Sequence, residues 1–558
     1  MSGAPVPAAA AAPDPAPAPT PTTGSAQGTV RRLIVYTILF ALVAIAAGGI
    51  AGLLERLIDA GDPLAVGGTG GLALSLAFAL IGGPLAAVLW WVVWRRLRDA
   101  SERMSLAWGL YLAAMYTVSL IVATTALVVT AIAGIDGRWL PGEFSTGVVW
   151  AAVWVWHRWM SRHPVKRPVR LATVPAVAGS VYGLIIGVSG AVAALGSLFD
   201  TAIRGAAAQA IAGSPWWQGL LDGLIWAAVG SLVWWWHWYR DGAKRLTTGF
   251  AAVALIVVGV IGAGILMLGG LAVALHVGLR LAFDPGDPAA EILRPLGTAL
   301  AAALIGAAVW IHHRRIATER STGTRRATRL VMSAVGLAAA ASGIGVVLNA
   351  TLAALASPLA ASGTRTLLLG GISALVVGGP TWWLNWKPTR HVEPTEIATP
   401  GRRVYLVAVF GLSAVVALIA LLVVGYRLFE FGLDGNSGAG LIDRVRAPLG
   451  VLVATALVFG YHFAVWRHDR AVIAERGLSV GRRVGRVILV TAGDPEALER
   501  AIGDATGASV TVWQRALGEP GAVPDAAAVV AALDGVAGKR VLVLAGPGDR
   551  VEVVPLAD

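Results

Sequence analysis

From Leu33 to Trp466 the chain is a succession of apolar segments separated by short polar loops, and most of them are long enough to cross about 30 Å of hydrocarbon. A water-soluble fold cannot hide so much apolar surface. In lipid every backbone N–H and C=O must be satisfied within the protein, so segments of this length and composition are read as transmembrane helices. Twelve spans are expected: Leu33 to Leu54, Gly71 to Trp94, Leu106 to Ala133, Thr146 to Trp159, Leu171 to Phe199, Gly219 to Trp238, Gly249 to Leu275, Leu296 to Trp310, Leu330 to Ala356, Leu367 to Trp383, Val404 to Phe429 and Leu449 to Trp466. The fourth and eighth are the shortest. Several even-numbered spans have a proline at or just before their start (Pro141, Pro215, Pro295, Pro448), where the missing N–H costs nothing.

Composition agrees with a membrane class. Of 558 residues, 56% are apolar and 14% charged, and there is no cysteine. Disulfide scaffolds, thiol nucleophiles and thiolate metal sites are therefore excluded. Residues 1–30 are rich in Pro and Ala and read as a disordered tail rather than a signal peptide, because the only basic pair, Arg31 and Arg32, abuts a full-length span.

The net charge of +12 is unevenly placed. The segment before the first span and the loops after every even span carry roughly 30 basic residues, against about 9 basic and 13 acidic in the alternate loops. Arg95, Arg96, Arg98 and Arg103 exemplify the first set; Glu55, Asp59, Asp284 and Asp287 exemplify the second. This asymmetry predicts a multi-pass plasma-membrane protein with both termini cytoplasmic. The expected partners are the bilayer, with anionic headgroups at the basic loops, and membrane or cytoplasmic proteins. Topogenic charge explains the basic balance, so nucleic acid is not needed as a partner.

The even spans end alike. Trp154 with His157, Trp234 with His237, and Trp310 with His313 are each Trp-x-x-His. Trp382 with Asn385 substitutes the amide, Phe459 with His462 substitutes the aromatic, and Trp90 is followed by Val93. The anchors recur at intervals of 64 to 80 residues, the length of one helical hairpin with its loops. A small residue lies one turn upstream in several copies (Ala86, Gly230, Gly306, Gly378), as close helix crossing requires. The fold class expected is thus an all-α polytopic membrane protein of six parallel-repeat hairpins. Gly179, Gly183 and Gly187, at i, i+4 and i+8, mark a further tight crossing in the fifth span.

The stretches Ala374 to Trp386 (ALVVGGPTWWLNW) and Ala227 to Arg240 (AAVGSLVWWWHWYR) resemble the end of the bacterial membrane module known as the domain of unknown function 5671 family. The family's four-span unit would group the hairpins into three tandem copies, 31–164, 165–321 and 322–472. The resemblance implies no reaction, substrate or catalytic residue.

Three readings of the aromatic motif stand side by side. Trp and His three apart share a helix face, and indole favours the membrane interface, so an aromatic belt is the simplest. A belt serves both faces of a membrane, yet about 15 of 22 Trp gather at the basic ends of the even spans. The second reading is therefore a set of inter-module contacts or a pocket at that face. A metal or haem site is the third, opposed by the origin of the histidines in separate hairpins and by the adjacency of His312 and His313, which points the two rings in different directions. No metal, cofactor or catalytic constellation is expected, and the chain reads as a non-enzyme.

Ionisable groups avoid the middle of the spans, which argues against an ion-coupled carrier. Hydroxyls such as Thr124, Thr130, Ser189 and Ser373 are the polar groups there. A structural, interaction or sensing protein is the leading expectation; a transporter or channel for a neutral or lipid-like substrate is the alternative.

After a basic linker, 473–485, residues 486–558 read as a small soluble α/β domain of order βαβαββ. Its strands are expected at Val487 to Thr491, Ser509 to Trp513, Val541 to Leu544 and Val551 to Val554. Its helices are expected at Pro495 to Thr506 and Asp525 to Leu533. The Gly546-Pro547-Gly548-Asp549 string lacks the Lys/Ser pair of a phosphate loop and reads as a turn.

Overall fold

The computed structural model describes residues 23–61, 69–205, 215–284, 286–320, 322–356, 361–389, 397, 399–433, 440–475, 484–492, 495–515, 524–534, 536, 538–546 and 550–556. Among the described residues, eleven helices are long and apolar enough to cross a membrane. They are α1 (Gln27–Ile58), α2 (Thr69–Arg96), α3 (Leu106–Ile135), α5 (Val174–Ile203), α6 (Trp216–Arg240), α7 (Gly249–Phe283), α8 (Ala289–Arg320), α9 (Gly323–Ala356), α10 (Gly363–Thr389), α11 (Gly401–Leu433) and α12 (Leu441–Glu475). Between α3 and α5 runs α4 (Pro141–Arg162), the fourth expected span. It is a helix but not one of the eleven, because Glu143, His157, Arg158 and four Trp dilute its apolar content. The count supported by length and composition is therefore eleven rather than twelve.

Helix α1 begins as early as Thr23, inside the stretch expected to be tail, while residues 1–22 lie outside the described residues. Most of the expected basic linker also lies outside them: α12 runs to Glu475 and the first strand starts at Val484.

Helix starts follow local chemistry. Ser105 and Thr248 cap α3 and α7 by accepting from the amides of Trp108 and Ala251. Pro141 opens α4 at a position where no N–H is required. Three segments widen to π-helix: Phe78–Gly82 in α2, Trp236–Arg240 at the end of α6 and Leu255–Gly262 in α7.

The chain forms two compact units, residues 1–175 and 176–558. In the first, α1 packs on α2, α3 and α4, and α3 packs along α4. In the second, α7 packs on α8, α9 on α10, and α12 on both α9 and α11, while α10 also packs on α7. A buried carboxylate ties that last seam: Asp284, just past α7, accepts from the Thr366 hydroxyl of α10 at 2.7 Å.

Glycine allows the close crossings. A Cβ on Gly183 of α5 would lie 2.3 Å from the Trp234 amide nitrogen of α6, and one on Gly190 would lie 2.3 Å from that of Ala227. Gly187 and Gly230 meet each other backbone to backbone. The expected stripe of Gly179, Gly183 and Gly187 is thus the α5 face that meets α6. The same crossing recurs between α9 and α10, where Gly336 faces the Trp382 amide and Gly378 faces that of Ala340.

The C-terminal residues form a four-stranded sheet, β1 (Val484–Thr491), β2 (Ser509–Gln514), β3 (Gly538–Ala545) and β4 (Val551–Leu556), in the order β2-β1-β3-β4. β1 is parallel to β2 and β3, and β3 is antiparallel to β4. Helices α13 (Glu496–Thr506) and α14 (Ala526–Ala532) supply Leu498, Ile502 and Val529 to a core shared with Val487, Leu489, Val541 and Val543. The expected element order is observed. Residues 547–549 of the expected turn lie outside the described residues.

Gly183→Leu should lower the thermal stability of the purified protein by several degrees, since overpacking a tight crossing costs roughly 1–3 kcal/mol. Gly379→Ala, at a position with open space beside it, should leave the melting temperature unchanged or slightly raised. Equal effects at the two positions would show that the crossing is not close-packed.

Candidate functional site

The motif residues meet in pairs within each set of four helices. Trp90 of α2 packs on His157 of α4 with ring centroids 6.1 Å apart. Trp234 of α6 and His313 of α8 are 6.2 Å apart, and Trp382 of α10 and His462 of α12 are 6.5 Å apart. The second helix of each set thus delivers a tryptophan, and the fourth a histidine, to one buried centre. These histidines are 0–3% exposed.

Each histidine is held in one tautomer by its own helix. Nδ1 lies 2.7 Å from the Val153 carbonyl in His157, and 2.9 Å from the Val309 and Val458 carbonyls in His313 and His462. A carbonyl only accepts, so Nδ1 carries the proton, and Nε2 of the neutral ring is left as an acceptor.

What meets Nε2 differs among the three sets. In the first, the Tyr111 hydroxyl of α3 lies 3.1 Å from it and donates. Tyr36 of α1 packs on Tyr111 and donates to Glu102, whose other oxygen accepts from Arg32. In the third, Tyr405 of α11 packs 6.1 Å from His462, but its hydroxyl pairs with Ser333 of α9 at 3.1 Å. His462 Nε2 is left buried without a hydrogen-bond partner among the described residues. In the second set Tyr239 packs on the edge of Trp234 rather than on the histidine, and a cavity of about 20 Å³ lies beside His313, Trp234 and Trp238.

The other motif residues are placed elsewhere. Trp154 packs on Tyr116 of α3, and Phe459 on Phe410 of α11, so both anchors face the neighbouring third helix. Trp310 lies under the Arg314 guanidinium at 4.7 Å. His237 bonds the Val233 carbonyl, sits 3.9 Å from the Asp241 carboxylate and fills the space in front of Gly179. Asn385 donates to Thr381 O one turn back, and Val93 is buried. His312 and His313 both contact the Trp234 ring. Among the described residues, no group of three His, Asp or Glu side chains is placed to hold a metal ion.

Two sub-motifs are therefore interleaved in what reads as one. The second helix of each set carries Trp-Trp-x-x-Trp: Trp90, Trp91 and Trp94; Trp234, Trp235 and Trp238; Trp382, Trp383 and Trp386. The fourth carries aromatic-x-x-His. The third tryptophan of the former approaches the histidine in two sets, Trp238 to His313 and Trp386 to His462, each at 5.5 Å. In the first set Trp94 instead stacks on Trp159 and receives the Lys166 ammonium, 3.0 Å above its ring. Lys166 also donates to the Trp94 carbonyl, so the basic loop closes the end of α2. In the third set Arg402 and Asp469, both nearly buried, join the starts and ends of α11 and α12 at 2.7 Å.

The family model for a domain of unknown function, DUF5671, matches the chain three times, at residues 32–140, 173–291 and 326–461. The chain belongs to this family and carries three tandem copies of its domain. No curated protein and no solved structure matches it.

Tyr111→Phe should destabilise the first unit by about 1–3 kcal/mol, because it leaves the buried His157 Nε2 without a donor. Tyr405→Phe should cost less, since that hydroxyl serves Ser333 and not the histidine. Thermal or denaturant unfolding of the two variants in one detergent checks the order, which a purely space-filling role for both rings would abolish.

Proposed function

We propose that this DUF5671 protein is a twelve-span plasma-membrane scaffold in an organising or sensing role, with both termini cytoplasmic. Each copy presents an aromatic, basic cytoplasmic face to anionic lipid headgroups and to protein partners, and no step of catalysis is assigned to it. The observation that carries this reading is the state of the intramembrane hydroxyls. Ser119, Thr130, Ser373 and Ser413 are buried, and each donates to a carbonyl one turn back, at 2.6–2.8 Å. They are occupied by their own helices rather than offered to a substrate.

Support for the lipid-facing role comes from the basic ends of the even helices. Arg95 lies 3.8 Å over Trp91, and Arg470 lies 5.2 Å over Trp466. Stacked in this way, a guanidinium keeps its edge available to phosphate while the indole stays at interfacial depth. The twelfth span in this reading is α4. Its 22 residues measure about 33 Å, enough to cross the hydrocarbon, and it packs along α3. The alternative, a transporter for a neutral or lipid-like substrate, draws on the cavity at His313.

Topology is tested by single cysteines in a chain that has none. Thr69→Cys and Ala289→Cys should both react with an impermeant thiol reagent from outside intact cells. Labelling of the two from opposite sides would show that α4 does not span. Cytoplasmic labelling of both would invert the orientation.

The lipid role predicts that anionic lipid raises the melting temperature more than zwitterionic lipid does. Arg95→Gln combined with Arg314→Gln should remove part of that difference, each charge being worth about 1 kcal/mol near an anionic surface. An unchanged difference argues against headgroup binding at these ends.

A further inference from the structure

The three copies repeat one centre, and the second lacks one of its parts. Register from the helix start identifies the missing part. Tyr111 lies six residues after the Ser105 cap of α3, and Tyr405 lies six after Thr399, which precedes the helical turn at Pro400. Six residues after the Thr248 cap of α7 stands Ala254. A methyl group there replaces a phenol, and Ala254 lines the cavity beside His313.

Part of the cavity wall is irregular helix, most of the rest coming from α5 and from the first turns of α7. Leu255–Gly262 of α7 and Trp236–Arg240 of α6 are both π-helical, and each contributes lining residues: Leu255, Val258 and Gly259 from one, Trp238 from the other. Such bulges cost helix regularity and cluster at functional sites. Polar atoms are also left over. The indole N–H groups of Trp234 and Trp238 are buried with no hydrogen-bond partner among the described residues, and Trp238 is 6% exposed. On His313, Nδ1 is committed to Val309, which leaves Nε2 as an acceptor on a ring that lines the cavity. A donor for the histidine and an acceptor for an indole are both wanted in one small space.

We infer that the second copy holds one water-sized hydroxylic molecule between His313 Nε2 and the indole N–H of Trp234 or Trp238. It supplies from outside the chain the hydroxyl that Tyr111 supplies to His157 from within. Size fixes the class. About 20 Å³ exceeds the roughly 10–15 Å³ that one water needs, and it is far below the space of an aromatic ring or an acyl chain. A water can donate to the imidazole and accept from an indole at once. The motif histidine of the second copy is then the hydrated one, whereas that of the first is sealed by its own tyrosine.

The test is an experimental map of the full chain in lipid nanodiscs, at a resolution of roughly 2 Å where ordered waters are visible. One peak is expected within hydrogen-bond distance of His313 Nε2 and of an indole nitrogen, with no counterpart at His157. An empty cavity, a peak out of reach of His313, or density larger than one water would overturn the inference. Ala254→Thr should displace the peak and melt about 2 °C above the isosteric Ala254→Val, since both reach into the space and only one brings a hydroxyl. Equal melting temperatures of the two variants would count against a hydroxyl site. If neither variant folds, the wild-type map decides alone.

Discussion

The arrangement of this protein depends on backbones coming close enough to touch. Lipid tails offer no hydrophobic drive for helix pairing, so association rests on packing surface and hydrogen bonds, and glycine supplies the packing by removing Cβ. Gly183 and Gly187 bring α5 onto α6, and Gly336 and Gly378 bring α9 onto α10. The contact points include the amides of Trp234 and Trp382, the anchors of the aromatic centres themselves. Pulling these helices apart by a methyl group would move the tryptophans away from the histidines they cover.

Around that contact the three copies differ most clearly at one position, the partner of the histidine Nε2. The histidine, its bond to the carbonyl one turn back and the tryptophan over its ring are common to all. The partner of Nε2 is not: a tyrosine hydroxyl in the first copy, a cavity in the second, a tyrosine ring whose hydroxyl is turned to Ser333 in the third. Repeats that keep a frame and vary one contact are what duplicated modules with separate tasks would look like. Of the three centres, the second has open space and unpaired donors, and it is bounded by irregular helix.

Much of the frame is legible in the sequence, for physical reasons. Spans follow from hydropathy because lipid forces backbone groups into helices, and the C-terminal strands follow from alternation because one face of that sheet is buried. The aromatic motif is visible in the sequence, but its division is not. Six similar endings at hairpin spacing conceal two endings that alternate, and only comparison at twice that spacing separates Trp90, Trp94 and their equivalents from His157 and its equivalents. Tyr111 and Tyr405 share a register in the first and third copies, but Ala254 interrupts the series in the second, so the sequence alone does not single them out. The fourth expected span is the opposite case: the tryptophans of α4, which fit the interface motif, are what dilute its apolar content.

Basic residues near the helix ends make structural contacts as well, as Lys166 closes the end of α2 and Arg402 pairs with Asp469. None of these contacts opens a path across the helices, and a scaffold requires that no aqueous path runs through the copies beyond the water-sized cavity at His313. Cysteines placed singly at Ser119, Ser373 and Ser413, all nearly buried, test it in intact membranes with a small water-soluble thiol reagent. Protection of all three from both sides of the membrane is the predicted result. Rapid modification at these depths from either side would reveal an aqueous pathway and contradict the scaffold.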